Sequence, residues 1–383
     1  MGYTRAATPR DNATTPSDIG RLRNGRLAAA VFAGAAIVLF GFGTSQSTVG
    51  LSTSLLDVQL VSATTPSAAG LKSPLLGLLD RQGAPSASFY SVLDGYVINV
   101  GWASLQTSAG GPITSNNAID KAIVQVRLAN AHGAHMALKL RAAAGIQAPA
   151  WAKTIGGAPI SVRDPNSKVT GTVGRFWSAA FGLAYVDFET RLAAKYDGVL
   201  EIREVTISRC TTIYDEPFIR QMSDPATVAN LWNAGYTYSA DQTCQQQSVQ
   251  AHAVWKVTRS DLSFNPYQEI LSASSVKTDE AFTQSMITYC GSTLGANCIV
   301  ENNSLRSTSL GSDYDAMYAA MKAQSGNVVF QTATMPRVGS LLATLQMAIG
   351  YGAASVELPS GYQTSKPSTF SAARLLLIAN ARP

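Results

Sequence analysis

The chain has 383 residues, 46% of them hydrophobic and 14% charged, with 31 Gly and 16 Pro. That composition excludes a disordered, collagenous or coiled-coil chain, and the length suits two ordinary domains or one large α/β barrel of roughly 250 residues or more. The formal charge is +5, but Arg5, Arg10, Arg21, Arg23 and Arg26 against Asp11 and Asp18 place +3 of it in the first 26 residues; the remaining +2 leaves no nucleic-acid footprint.

Residues 1–26 form a basic flank to an uncharged run, Leu27 to Phe42 (LAAAVFAGAAIVLFGF). Uncharged residues with Arg on one side only read as an export signal or a membrane anchor over 27–43, a buried core helix being the alternative. The run is close to the roughly 17–25 residues that span a bilayer, and Gly43 to Val49 would lengthen it. No small-x-small cleavage site follows Phe42 directly, which tilts the reading toward a retained anchor with the Arg side cytoplasmic. The membrane is therefore one expected partner, and the folded part is expected to be extracytoplasmic. Residues 44–75, rich in Ser, Thr, Ala and Gly, suit a flexible tether. Residues 76–383 then carry one folded domain, with no second linker.

Within it, apolar strand-like runs occur at Ser86 to Tyr90, Tyr96 to Trp102, His135 to Arg141, Glu204 to Cys210, Leu262 to Tyr267, Cys298 to Asn303, Val328 to Thr332 and Ala354 to Leu358. Helical patterns lie between them, for instance Ile119, Ala122, Ile123 and Val126, or Val338, Leu341, Leu342, Leu345 and Ile349. Nearly continuous apolar strands, each followed by an amphipathic helix, indicate a parallel sheet covered by helices. Eight units point to an α/β fold of the (β/α)8 TIM-barrel type, with a doubly wound open sheet as the alternative. The first unit fits least well, because only Ser91 to Gly95 separates its two strands.

Four cysteines lie in the part expected to be exported. Cys290 and Cys298 enclose a short Gly-rich stretch and pair locally, leaving Cys210 and Cys244 to close a longer loop. Close Cys or His pairs of the kind that hold zinc are missing, so no metal and no cofactor is expected. The chain contains no G-x-S-x-G elbow, Walker loop, G-x-G-x-x-G turn or H-E-x-x-H helix. His132 and His135 precede the third strand, at the barrel end opposite the usual active site, and His252 sits in a helical stretch; all three are expected to be structural.

Carboxylates at the ends of strands are the chemistry that remains. After the fourth strand, Tyr214-Asp215-Glu216-Pro217-Phe218 delivers an acidic pair to a loop with aromatic neighbours, surroundings that raise a carboxyl pKa as a general acid requires. A solvated pair capping a helix is the other reading of the same residues. Glu301 ends the sixth strand and Glu357 the eighth; each is a candidate nucleophile or base, and equally a candidate for a structural ion pair. Glycoside hydrolysis uses two such carboxyls. Sugar sites also need flat aromatic faces and amides, and the strand ends supply Asn99, Trp102, Arg141, Gln147, Trp151, Asn265, Tyr267 and Gln331.

The segment Gly95 to Lys153 resembles the second and third units of (β/α)8 glycoside hydrolases of the beta-galactosidase and cellulase type. The features shared are a strand ending in W-x-x-L-Q, a Gly-rich turn before an I-D-x-A-I helix, and a third strand leading to A-P-x-W. Tyr214 to Phe218 resembles the fourth-strand N-E-P motif of that family, with Asp215 in place of Asn; the likeness implies that Glu216 is the acid/base. Phe330-Gln331-Thr332 stands where the family carries its nucleophile Glu. The resemblance, nearest to secreted barrels of actinobacteria, implies hydrolysis of an extracytoplasmic poly- or oligosaccharide. A barrel that binds glycan without cleaving it, and a membrane-tethered envelope scaffold, are the alternatives.

Overall fold

A computed structural model describes residues 70–382. The uncharged run at 27–43 and most of the proposed tether lie outside the described residues. Among the described residues no helix is long and apolar enough to cross a membrane.

Eight parallel strands form a closed barrel: β1 (Gly77–Asp80), β2 (Gly95–Gly101), β3 (Ala137–Ala143), β4 (Ile202–Thr206), β5 (Arg259–Ser263), β6 (Cys298–Leu305), β7 (Val328–Thr332) and β8 (Ala353–Leu358). They pair in chain order, and β8 returns to β1 through Gly77 opposite Ser355 and Leu79 opposite Glu357. An open doubly wound sheet would leave two unpaired edges, so closure excludes it. The main covering helices are α1 (Ala118–Ala131), α2 (Ala179–Tyr196), α3 (Pro225–Asn233), α4 (Tyr238–Ala251), α5 (Glu280–Leu294), α6 (Ser312–Lys322), α7 (Leu341–Gly350) and α8 (Ser371–Ala379). Two hairpins, Ile160–Arg163 with Thr170–Val173 and Tyr267–Ser272 with Ser275–Asp279, extend the loops after β3 and β5.

Local sequence explains the helices. In α1, Asn117 caps the start by accepting from the Ile119 and Asp120 N–H groups, and Ile119, Ala122, Ile123, Val126 and Ala129 form the buried stripe. Ser178, Asp224 and Asp279 cap α2, α3 and α5 in the same way, with Pro225 at the first turn of α3.

The first strand is not where the apolar pattern places it. Ala87–Phe89 is a 3₁₀ turn, closed by Phe89 N–H donating to the Ser86 carbonyl, and β1 is the earlier Gly77–Asp80. Ser86 to Tyr90 alternates polar and apolar residues like a strand, whereas four buried residues, GLLD, are too few to show a period. Residues just before β1 also belong to the barrel. Lys72 Nζ donates to the Val199 and Ile202 carbonyls and to Thr258 Oγ1, each at 2.7 Å, and Leu75 packs with Leu79 and Ala137. Burial lowers the Lys72 pKa to about 8.

The cysteines form disulfides Cys210–Cys244 and Cys290–Cys298. His252 is buried between the Tyr185 hydroxyl and Ser260 Oγ, and burial pushes its pKa down to about 3, so it is a neutral packing residue.

Candidate active site

The barrel lumen is charged. In β3, Leu138, Leu140 and Ala142 pack outward into the helix layer, which turns Lys139 and Arg141 inward. Lys139 Nζ meets carboxylates from three strands across the lumen: Asp261 of β5 at 2.5 Å, Glu301 of β6 at 2.8 Å and Glu357 of β8 at 2.9 Å. All four side chains are fully buried. Burial disfavours the ammonium, but the three carboxylates outweigh it and raise the Lys139 pKa well above its ordinary value. Burial raises the carboxyls of Asp261, Glu301 and Glu357, against the pull of the two cations.

Arg141 lies one pleat nearer the open end. Its Nη2 donates to both carboxylate oxygens of Glu357, at 2.9 and 3.1 Å, and its Nη1 to Gln331 Oε1 at 3.2 Å and Asn99 Oδ1 at 3.4 Å. Its Nε lies 3.6 Å from Asp215, and its Nη2 3.7 Å from Glu301. Above Arg141, at the carboxyl ends of the strands, opens a cavity of about 550 Å³ lined by Asn99, Arg141, Gln147, Tyr214, Asp215, Glu216, Gln331 and neighbours. That is the end at which TIM-barrel enzymes carry their sites.

The loop bearing Glu216 is fixed on both sides. Upstream, the Tyr214 hydroxyl donates to Asp164, Thr212 Oγ1 to the Ile219 carbonyl, and Cys210 is tied to Cys244 of α4. Downstream, Gln245 Nε2 donates to the Pro217 carbonyl and Gln268 N–H to the Phe218 carbonyl, while the Arg220 guanidinium forms a two-pronged pair with Asp241. Phe218 sits edge-on to Phe264 and Tyr267. Glu216 itself is half-buried, and no side-chain hydrogen bond or ion pair engages its carboxyl among the described residues. Burial, reinforced by the Asp215 carboxylate, pushes its pKa up to about 7.

The structure thus brings Asn99, Arg141, Gln147, Tyr214, Asp215, Glu216 and Gln331 to one cavity, and places six other candidates elsewhere. Trp102 is completely buried between β2 and α2, stacked on Phe188 and edge-on to Phe181, with Nε1 donating to Gln106; Trp151 packs against its edge. An indole with that much apolar surface is drawn into the helix layer, away from the cavity. Tyr267 is also interior, its hydroxyl given to Asp241, and Asn265 is buried among Asn302, Ser304 and Tyr314. Glu301 and Glu357 lie beneath Arg141 as ion-pair partners, not in the cavity wall.

Several residues go unmarked by the sequence reading. Arg81 lines the cavity but follows the misplaced first strand, and Asn303, Gln82 and Thr334 join it. Lys139 had a visible signal: with Arg141 it is one of two cations inside an otherwise apolar parallel strand, which requires buried counter-charges.

No protein-family model matches the chain, and no curated protein matches it in sequence. Its fold is similar to solved glycoside hydrolases. The catalytic domain of beta-amylase from Paenibacillus polymyxa aligns with TM-score 0.51 and 11% identity over 82% of this chain and 100% of that one. Endo-glycoceramidase II from Rhodococcus sp. aligns at TM-score 0.44 and 12% identity, over 78% and 75% of the two chains. Beta-galactosidase from Bacillus circulans sp. alkalophilus aligns at TM-score 0.45 and 12% identity, over 74% of this chain and 50% of that one. At such identities the likeness defines the class of fold, an eight-stranded parallel barrel.

Proposed function

We propose that the protein is a glycoside hydrolase of an extracytoplasmic poly- or oligosaccharide, with Glu216 as general acid. The observation that carries this reading is a carboxyl on a rigid loop, in the wall of a strand-end cavity, unpaired and raised to about 7. Glu216 gives its proton to the glycosidic oxygen as the bond to the anomeric carbon breaks. Burial raises the Asp215 carboxyl, and Arg141 at 3.6 Å opposes that rise; in its ionised form Asp215 accepts a proton from the water that adds to the anomeric carbon. Asn99, Gln147 and Gln331 supply amides for sugar hydroxyls. The two disulfides support an oxidising compartment, with residues 27–43 as the export or anchor segment and the tether ahead of the barrel.

A second reading, a barrel that binds glycan without cleaving it, is favoured by Gln331 ending β7 and by Glu301 and Glu357 being committed to Lys139 and Arg141. Release of reducing ends from an oligosaccharide panel between pH 5 and pH 9 separates the two. Because the proton donor must be protonated, hydrolysis is expected to decline as pH rises through about 7. Binding without any cleavage across the panel would favour the second reading.

A further inference from the structure

Arg81 is a cavity residue that, among the described residues, meets no carboxylate at ion-pair distance. It follows β1, is 9% exposed, and lines the cavity that holds Glu216. Its position is fixed: Nη1 donates to the Thr332 carbonyl at 2.7 Å, and its own carbonyl accepts from Asn99 Nδ2 at 3.0 Å. Among the described residues its other guanidinium nitrogens have no partner, and no carboxylate stands at ion-pair distance. Of the nearby carboxylates, Glu216 lines the same cavity but stands beyond ion-pair distance, and two others are engaged elsewhere. Asp80 accepts from the Tyr362 hydroxyl and the Gln82 N–H, both at 2.7 Å, and Glu357 is held by Arg141 and Lys139.

Other buried guanidinium groups of this chain show what a structural role looks like. Arg220 is paired two-pronged with Asp241. Arg209, without a counter-ion, spends all three nitrogens on Phe176 and Ser178 carbonyls and on Gln247. Arg81 does neither; Arg259 likewise donates to a single carbonyl, that of Ala296, but it lies outside the cavity, whereas Arg81 lines it, and an arginine stays charged even where burial disfavours it. Holding a cation there without an anion is costly, and a ligand that brings one offsets that cost.

We infer that Arg81 forms a subsite for an acidic sugar, its free guanidinium edge receiving a carboxylate or sulfate group of the glycan while Asn99 and Gln331 beside it take neighbouring hydroxyls. The planar fork matches such anions with two parallel hydrogen bonds. The inference rests on the carbohydrate reading of the cavity and narrows it to anionic glycans such as uronate polymers or sulfated polysaccharides.

The test is calorimetric titration of the Glu216→Gln protein, which prevents turnover, with matched oligosaccharide pairs. One arm uses galacturonate, glucuronate and mannuronate oligomers against their carboxyl-reduced neutral counterparts. The other uses sulfated galactan oligomers against desulfated ones. In one of the arms the acidic member is expected to bind about 10- to 100-fold more tightly, the range for hydrogen bonds to a charged group. Adding Arg81→Gln should remove that preference, lowering the affinity for the acidic member far more than for the neutral one, and Arg81→Lys should keep part of it. Equal affinity within every pair, no binding of any acidic oligomer, or a preference that survives Arg81→Gln overturns the inference; the pairs need no Arg81 variant, so a misfolded variant does not protect it. An acidic glycan bound by the wild type but never cleaved would keep the subsite and remove the hydrolase reading. A neutral glycan cleaved with no acidic preference would do the reverse.

Discussion

Replacing Lys139 with Met tests the charged lumen on which the site rests. The substitution keeps the length of the side chain and deletes the ammonium that touches Asp261, Glu301 and Glu357 at 2.5, 2.8 and 2.9 Å. Removing one partner of a buried pair leaves uncompensated charge and costs about 3–5 kcal/mol, which for a domain of this size lowers Tm by roughly 5–8 °C. The deficit has a defined pH dependence. Without Lys139 to pull them down, the three carboxyls, already raised by burial, rise further above their unfolded values. The folded state then binds more protons than the unfolded one, so stability is lost as pH increases. Thermal unfolding followed by circular dichroism should show a small difference from wild type at pH 5 and the full deficit at pH 8. Adding Asp261→Asn, which removes one of the stranded charges, should recover part of it. An equal Tm for wild type and variant, or a deficit that does not change between pH 5 and pH 8, would refute the reasoning.

Three further outcomes are expected. Glu204 is completely buried without a hydrogen-bond partner among the described residues, and burial pushes its carboxyl up to about 7. That folded value lies above the unfolded one, so the stability it contributes below about pH 4.5 is lost as pH rises to 7; Glu204→Gln should therefore be neutral at pH 5 and stabilising by on the order of 2–3 kcal/mol at pH 8 in chemical denaturation. Replacing both Cys210 and Cys244 with Ala opens a loop of 34 residues and should cost about 3–4 kcal/mol and reduce hydrolysis, because the bridge holds the Glu216 loop. The pair Cys290 and Cys298 closes only 8 residues, so its removal should cost about 2–3 kcal/mol and leave the kinetics of folded protein unchanged.

The barrel was legible in the sequence because parallel strands covered by helices are apolar throughout, and seven of the runs fall on barrel strands with ends displaced by a few residues. The first failed for want of length: Gly77–Asp80 is four residues, and its loss also hid Arg81. Tyr214, Asp215 and Glu216 were visible because they stand together after one strand. Trp102 and Tyr267 were misplaced because position at a strand end does not say which way a large ring turns; both went to the helix layer, where they bury more apolar surface. The fate of Glu301 and Glu357 depends on contacts between β3, β6 and β8, far apart in sequence, and only the cations Lys139 and Arg141 inside β3 signalled it.

The most direct test of the central claim compares Glu216→Gln with wild type on two leaving groups. The substitution keeps the shape of the side chain and removes its ionisable proton, so cleavage of an unactivated oligosaccharide should fall by about 10²- to 10⁴-fold, with binding retained. A dinitrophenyl glycoside of the same sugar departs without protonation and should lose far less, and the decline of the wild-type rate through about pH 7 should vanish in the variant. Full activity of Glu216→Gln on the unactivated oligosaccharide, with the wild-type pH profile intact, would contradict the account.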